Sequence, residues 1–185
     1  MYKKQINAST AKSRQAIADS LVELIQTKGF QHATVTDICK GAALVRKTFY
    51  RNFKTKEDVI VYILENVFKA FILDRNVEKM TVEEILSDAY SFIDANRDFL
   101  VLFYKNDLFR FAKKNVADFI VKERLYKAVN SEIIDEKYLK YITAQIAALI
   151  VSVIETWIEG GFSETPRELA RLTEDIMRGR VYADT

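Results

Sequence analysis

Residues 34–53, with the sequence TVTDICKGAALVRKTFYRNF, indicate two short helices joined by a tight turn. Thr34 and Asp37 stand three positions apart, as in a capping box with Asp in place of the usual Glu or Gln, so a helix is expected to begin after Thr34. Residues 42–44 form the turn, and the second short helix is expected at about 45–52. Two short helices that meet at such a turn predict a compact helix-turn-helix.

The second of these helices has two faces with different chemistry. Leu44, Phe49 and Phe53 are apolar and are spaced to pack inward. The remaining positions carry side chains that donate hydrogen bonds, namely Arg46, Lys47, Thr48, Tyr50, Arg51 and Asn52. A helix divided in this way fits the major groove of B-DNA, about 12 Å wide, with its N-terminal end leading. The pattern therefore predicts a recognition helix.

The same stretch resembles the TetR family of bacterial repressors. The family pattern is roughly Thr-x-x-x-Ile-Ala-x-x-Ala-Gly-Val-Ser-x-x-Thr-Leu-Tyr-x-His-Phe-x-x-Lys-x-x-Leu. This chain matches it at Thr34, Ile38, Ala42, Thr48, Tyr50, Phe53 and Lys56. Phe49 stands at the usual Leu, and Asn52 at the usual His. The resemblance is specific over about residues 10–60, and residues 157–177 are similar to the C-terminal end of some members.

The resemblance implies an all-α, TetR-like fold. A three-helix helix-turn-helix domain is expected over residues 1–54, and a regulatory and dimerisation domain of about six helices over 55–185. The implied function is a sequence-specific DNA-binding transcriptional regulator, a repressor released by a small-molecule effector. The alternative is a TetR-like coactivator or regulator gated by a protein partner, as in one family member that controls dihydroxyacetone kinase genes.

The resemblance also implies roles for individual residues in DNA binding. Phosphate contacts are expected from Thr34, Thr48, Tyr50, Asn52 and Lys56, the last at a helix N-terminus, where the helix dipole favours an anion. Arg46 and Lys47 are the candidates for reading base edges, preferably guanine O6 and N7. Thr36 and Arg51 are expected to contact either. Each residue alone is explained equally well by packing or solvation, but their shared face favours DNA.

Two residues depart from the family pattern at the turn. Ala43 replaces the usual Gly, and a β-carbon makes the left-handed backbone conformation strained. Val45 replaces the usual capping Ser, and the missing hydroxyl loosens the start of the recognition helix by about 1 kcal/mol. We therefore expect an altered groove geometry within an unchanged fold.

Charge and composition agree with this interpretation. The net charge is +2, but residues 1–56 contain eleven Lys or Arg and three acids, so this part carries +8 and the rest −6. A basic end on an acidic body favours nucleic-acid binding by that end. Five Gly and one Pro in 185 residues indicate a mostly helical chain.

Further helix starts are marked by their caps. Ser9 or Thr10 is expected to begin the first helix, since both side chains are good N-caps. Thr81 and Thr165 each precede a Glu by three residues, which predicts two more capping boxes. A long helix is expected over residues 136–159.

Several classes of protein are disfavoured. No run reaches about 18 consecutive apolar residues, so no membrane span is predicted, and the first residues lack the apolar run of a secretion signal. We expect a cytoplasmic protein. Cys39 and His32 are single residues of their types, which excludes an internal disulfide and Cys- or His-cluster metal sites. Without a patterned nucleophile or a Gly-rich phosphate loop, neither an enzyme nor a bound cofactor is predicted.

The predicted helix over residues 136–159 is apolar on more than one face. One face covers its own domain, and the other needs a partner, unless a monomer core absorbs both. With the last helix it is expected to form a four-helix homodimer interface. Two recognition helices about 34–36 Å apart then bind a palindromic operator in double-stranded DNA.

The C-terminal region is rich in aromatic residues, for most of which burial in the core is the simpler explanation. The family resemblance implies instead a cavity for an effector between the helices. The expected lining residues are Phe92, Phe103, Tyr104, Phe119, Tyr126 and Trp157. The fourth helix is expected to pass the effector's influence to the DNA-binding end.

Overall fold

A computed structural model describes residues 2–73, 75–129 and 135–180, and over these ranges α-helices and short 3-10 turns are the regular elements. The α-helices are α1 Tyr2–Lys28, α2 Val35–Gly41, α3 Arg46–Asn52, α4 Lys56–Ile72, α5 Val82–Asp94, α6 Arg97–Lys105, α7 Ala112–Lys122, α8 Tyr126–Val129, α9 Glu136–Glu159 and α10 Pro166–Met177. The prediction of an all-α fold is confirmed.

The chain divides into two compact units, Met1–Asn66 and Val67–Thr185. The division falls within α4, whereas the sequence places the domain boundary just before this helix, at residue 55. Because α4 contributes to both units, it is the covalent connection between them.

Helices α1, α2 and α3 pack against one another in the N-terminal unit. Ile17, Leu21 and Ile25 recur along α1 at helical spacing, and they are almost fully buried in the core of this unit with Ile38 and Phe49. The helix begins at Tyr2, earlier than the Ser9 or Thr10 cap predicts. The sequence therefore indicates the buried face of α1 correctly and its first residue incorrectly.

Gly41 ends α2 at a close approach to α1. A Cβ at this position would lie 2.3 Å from the Ser20 hydroxyl oxygen, and that hydroxyl is held by a 3.0 Å hydrogen bond to the Ile38 carbonyl. A larger residue would displace Ser20 from this bond, so the glycine sets the spacing of α1 and α2.

In the second unit, α5 packs on α10 and α7 packs on α9. The Tyr90 hydroxyl lies 2.7 Å from the Thr173 hydroxyl, and burial raises the pKa of Tyr90 to about 12. Trp157 packs edge-on against Tyr90 and Phe162 and donates its indole N–H to the Glu164 carbonyl at 3.0 Å. These contacts tie α9 to α5 and to the turn before α10.

Helix α9 is long and apolar enough to cross a membrane by length and composition alone, with a mean hydropathy of 1.6 over an 18-residue window. It packs on α6, α7 and α10. The core helix of a globular protein can have the same length and apolar composition. Yet 28% of that window is buried within one chain, and Ile142, Leu149 and Val153 are half-buried. Within the described ranges, a single copy therefore leaves apolar surface of α9 uncovered.

Candidate nucleic-acid interface

The corner between α2 and α3 is a tight turn closed by backbone hydrogen bonds. The amide of Ala43 donates to the Lys40 carbonyl at 3.2 Å, and that of Leu44 to the Cys39 carbonyl at 2.9 Å. Ala43 has a φ of 53°. The turn thus has a left-handed residue at Ala43, and the β-carbon makes this conformation unfavourable, as expected.

Ala43→Gly is therefore expected to stabilise the N-terminal unit. Glycine adopts a positive φ without strain but loses more backbone entropy on folding, so the net gain is about 0.5–1 kcal/mol. Urea denaturation followed by circular dichroism measures it. The matched control is Ala42→Gly, because Ala42 has a φ of −75° and its replacement should destabilise the unit. A loss of stability in both variants would contradict the strain at Ala43.

The recognition helix α3 begins without a side-chain cap. Val45 occupies the N-cap position in extended conformation and provides no side-chain hydrogen bond. Its side chain is 68% exposed, so the apolar group is not needed for packing. The amide of Thr48 is instead bonded to the Val45 carbonyl at 2.8 Å. The start of α3 therefore has no side-chain cap, and its loosening stays a prediction.

The two faces of α3 have the predicted division. Phe49 and Phe53 are buried with their ring centroids 6.0 Å apart, and Leu44 is half-buried. On the other side Arg46, Lys47 and Arg51 are exposed, together with Tyr50, which is 50% exposed. The aromatic pair thus fixes the rotation of α3 and directs the basic residues to solvent.

Arg46 lies along Tyr50 one helical turn away. Its guanidinium donates a 3.3 Å hydrogen bond to the Tyr50 hydroxyl oxygen and its central carbon is 5.8 Å from the Tyr50 ring centroid. The contact involves one of five guanidinium N–H groups, so Arg46 keeps donors for base edges or phosphates. Thr48 is half-buried on the same helix.

The start of α2 is fixed by the predicted capping box. The Thr34 hydroxyl donates to the Asp37 carboxylate at 2.6 Å and accepts from the Asp37 amide. Lys28 lies 2.6 Å from the same carboxylate, and the Lys28 and Thr34 bonds lower the pKa of Asp37 to about 2. The Thr34 hydroxyl proton is thus engaged within the cap, whereas Thr36 is exposed on the first turn of α2.

Two other predicted phosphate contacts have intramolecular partners. The Asn52 amide donates to the Thr48 carbonyl at 2.8 Å. The Lys56 ammonium donates to the carbonyls of Phe30, Gln31 and Ala33 at 2.8, 3.2 and 3.0 Å. All three N–H bonds of Lys56 are therefore engaged, which favours a structural role, and its phosphate contact stays a prediction.

Comparison with known proteins identifies the arrangement. Residues 17–63 match the family model described as bacterial regulatory proteins, tetR family. Residues 80–179, more than half of the chain, match the model described as transcriptional regulator C-terminal region, of the same family. The chain belongs to the TetR family. The predictions of this family, of its fold and of a helix-turn-helix transcriptional regulator are confirmed at this level.

Individual relatives match over shorter stretches. The dhaKLM operon transcriptional activator DhaS of Lactococcus lactis is 31% identical over 64 residues, which is 35% of this chain and 34% of that protein. The chain thus spans about a third of the length of this curated relative.

Two solved structures share the fold over nearly the whole chain. A TetR regulator from Streptococcus agalactiae has a TM-score of 0.66 at 17% identity, covering 95% of this chain and 98% of its own. FadR from Bacillus subtilis, solved with stearoyl-CoA, has a TM-score of 0.56 at 16% identity, covering 91% and 99%.

The six aromatic residues expected to line an effector cavity do not form one group. Phe92 and Phe119 both pack on Phe71, and Phe103 is buried against Phe99. Tyr104 donates its hydroxyl to Glu159, Tyr126 is half-buried in α8, and Trp157 belongs to the core described above. Their role as cavity lining stays a prediction.

The second unit contains a small apolar cavity of about 50 Å³. Its lining is aliphatic and comprises Val82, Ile85, Leu86, Ile120, Leu125, Ile146, Ile150 and Met177. The six predicted aromatic residues are not part of this lining. The helical spacing of Val82, Ile85 and Leu86 is the sequence feature that indicates this inward face.

Proposed function

We propose that the protein is a homodimeric transcriptional regulator that binds a palindromic operator in double-stranded DNA through α3. One observation carries this proposal: a basic, exposed face of α3 is held in place by the buried Phe49 and Phe53. In the proposed complex Arg46 and Lys47 read base edges. The surrounding contacts come from Thr34, Thr36, Thr48, Tyr50, Arg51, Asn52 and Lys56.

Dimerisation in this proposal uses α9 and α10. The partly buried apolar residues of α9 support it, as does Leu172 on α10, which is 43% exposed. Covering these surfaces with a second copy would make a four-helix interface. Because a two-fold dimer presents two α3 helices, its operator would have two related half-sites.

The dimer is proposed to act in the cytoplasm as a repressor released by an effector, with a regulatory rather than a catalytic role. FadR, solved with stearoyl-CoA, supports a small-molecule effector for a protein of this fold. An effector would act by binding one of two conformations more tightly than the other. Helix α4 would carry the change, since it contributes to both units.

The small cavity favours a second candidate. A volume of about 50 Å³ is far below the roughly 300–1,000 Å³ of a pocket for a drug-sized ligand. A drug-sized effector that bound in this apolar cavity would therefore have to enlarge it. The match to the activator DhaS supports a regulator gated by a protein partner, which needs no enlarged cavity.

Selection of bound duplexes from a random pool tests the proposal. We expect enrichment of a palindrome bound by two chains, with the stoichiometry measured by analytical ultracentrifugation. The affinity should fall steeply with salt, because Lys and Arg release counterions from the phosphates they neutralise. Enrichment of no sequence, or of sites without two-fold symmetry bound by one chain, would contradict the proposed dimeric regulator.

A further inference from the structure

A cleft in the N-terminal unit adjoins the C-terminal end of α3. It has a volume of about 410 Å³ and is lined by α1, by residues 50–54 and by the first half of α4. Three cations line it: Arg14, Arg51 and Lys54. Arg51 is a predicted DNA contact, whereas Arg14 has no predicted role.

Arg14 is held in this cleft by aromatic rings rather than by a carboxylate. Its central guanidinium carbon lies 4.3 Å from the ring centroid of Tyr62 and 5.0 Å from that of Phe53. Its Nε is buried without a hydrogen-bond partner. Such stacking fixes the plane of a guanidinium without using its N–H donors, so Arg14 is a positioned cation with one buried donor, its Nε, that has no partner.

The other charges make the cleft electropositive. Arg51 and Lys54 are exposed and form no ion pair with another residue in the described part of the chain. The Asp58 carboxylate accepts the amides of Lys54 and Thr55 at 2.8 and 3.0 Å, so it is engaged at the start of α4. With Glu65, the lining holds two acids against three cations, so the net charge of the cleft is positive.

We propose that Arg14, with Arg51 and Lys54 beside it, binds a phosphate of the DNA backbone. This inference rests on the proposed function and extends it to α1. The cleft begins at Tyr50, Arg51 and Asn52, on the helix that enters the major groove in the proposed complex. Every major groove is bordered by phosphates, and a guanidinium donates to them two parallel hydrogen bonds.

A purely structural Arg14 would contribute to folding stability and not to DNA affinity. The contacts of the guanidinium with Tyr62 and Phe53 are stabilising, but burial of its unpaired Nε costs free energy, so an apolar residue of similar length in its place is expected to be close to neutral. Arg14→Met therefore should retain the packing on Phe53 and Tyr62 and remove the phosphate contact. DNA affinity and folding stability are expected to change independently.

The test compares Arg14→Met with Lys12→Met, which removes an exposed cation of α1 outside the cleft. For each protein the logarithm of the association constant for the selected operator is measured against the logarithm of the salt concentration. Arg14→Met should reduce the slope by about 1 for each half-site, with unchanged base preference. The unfolding midpoint should stay close to that of the wild type, and Arg14→Lys should restore most of the slope.

Three results have distinct meanings. Equal slopes for Arg14→Met and Lys12→Met would overturn the phosphate assignment while leaving the regulator intact. Inorganic phosphate that saturates the DNA-free protein at micromolar concentration, but not Arg14→Met, would show a free oxyanion as the ligand and overturn the assignment to DNA. Absence of DNA binding by the wild-type chain would instead refute the proposed function.

Discussion

Replacing Arg46 and Lys47 together by alanine is expected to lower affinity for the selected operator on the order of 100-fold or more. Both side chains are exposed on the first turn of α3, and a good bidentate contact to a base edge contributes a large share of discrimination. Fluorescence anisotropy with labelled operator and with a scrambled duplex measures the change. The loss should be larger for the operator, because the scrambled duplex is held mainly through its phosphates.

The matched control for this variant is Lys113→Ala with Lys114→Ala. These two adjacent lysines are exposed on α7 in the second unit, so the pair of substitutions removes the same charge from a different surface. We expect its operator affinity to change little at physiological salt, where charges beyond about 8 Å are screened. A similar loss for both double variants would mean that net charge, not the face of α3, determines binding.

Local capping and periodicity made much of the fold predictable from the sequence. The capping boxes at Thr34, Thr81 and Thr165 are all present, because each depends on side chains three residues apart. Helix α9 has the predicted bounds. The inward and outward faces of α3 also follow from short-range spacing, which is why the basic surface of the candidate interface was predictable.

Features that depend on contacts between distant segments were not predictable in the same way. Lys56 matches a family position, but its ammonium meets carbonyls more than twenty residues earlier in the chain. Arg14 precedes the family pattern that begins at Thr34. Its placement depends on Phe53 and Tyr62, which come from two other segments. Aromatic content alone likewise did not identify the aliphatic cavity, because ring packing within the core explains most of those residues.

Lys56 connects the start of α4 to the loop between α1 and α2. Besides its three carbonyl contacts, its ammonium lies 4.5 Å from the Phe30 ring centroid. A cation on the first turn of a helix is otherwise unfavourable, because the N-terminal end of the helix dipole is positive. The carbonyls of Phe30, Gln31 and Ala33 offset this cost. The charge of Lys56 therefore stabilises the conformation of the loop.

Lys56→Met is accordingly expected to destabilise the N-terminal unit by about 2–4 kcal/mol, since it removes three charge-assisted hydrogen bonds but keeps a side chain of similar length. Thermal and urea unfolding measure the loss, and hydrogen exchange should show faster exchange at residues 30–33. Lys40→Met, at an exposed cation of α2, is the control and should be close to neutral. If Lys56 acts mainly by holding a phosphate, Lys56→Met would instead keep the unfolding midpoint and reduce the salt slope of operator binding. The two measurements therefore separate a residue that supports the DNA-binding unit from one that touches the DNA.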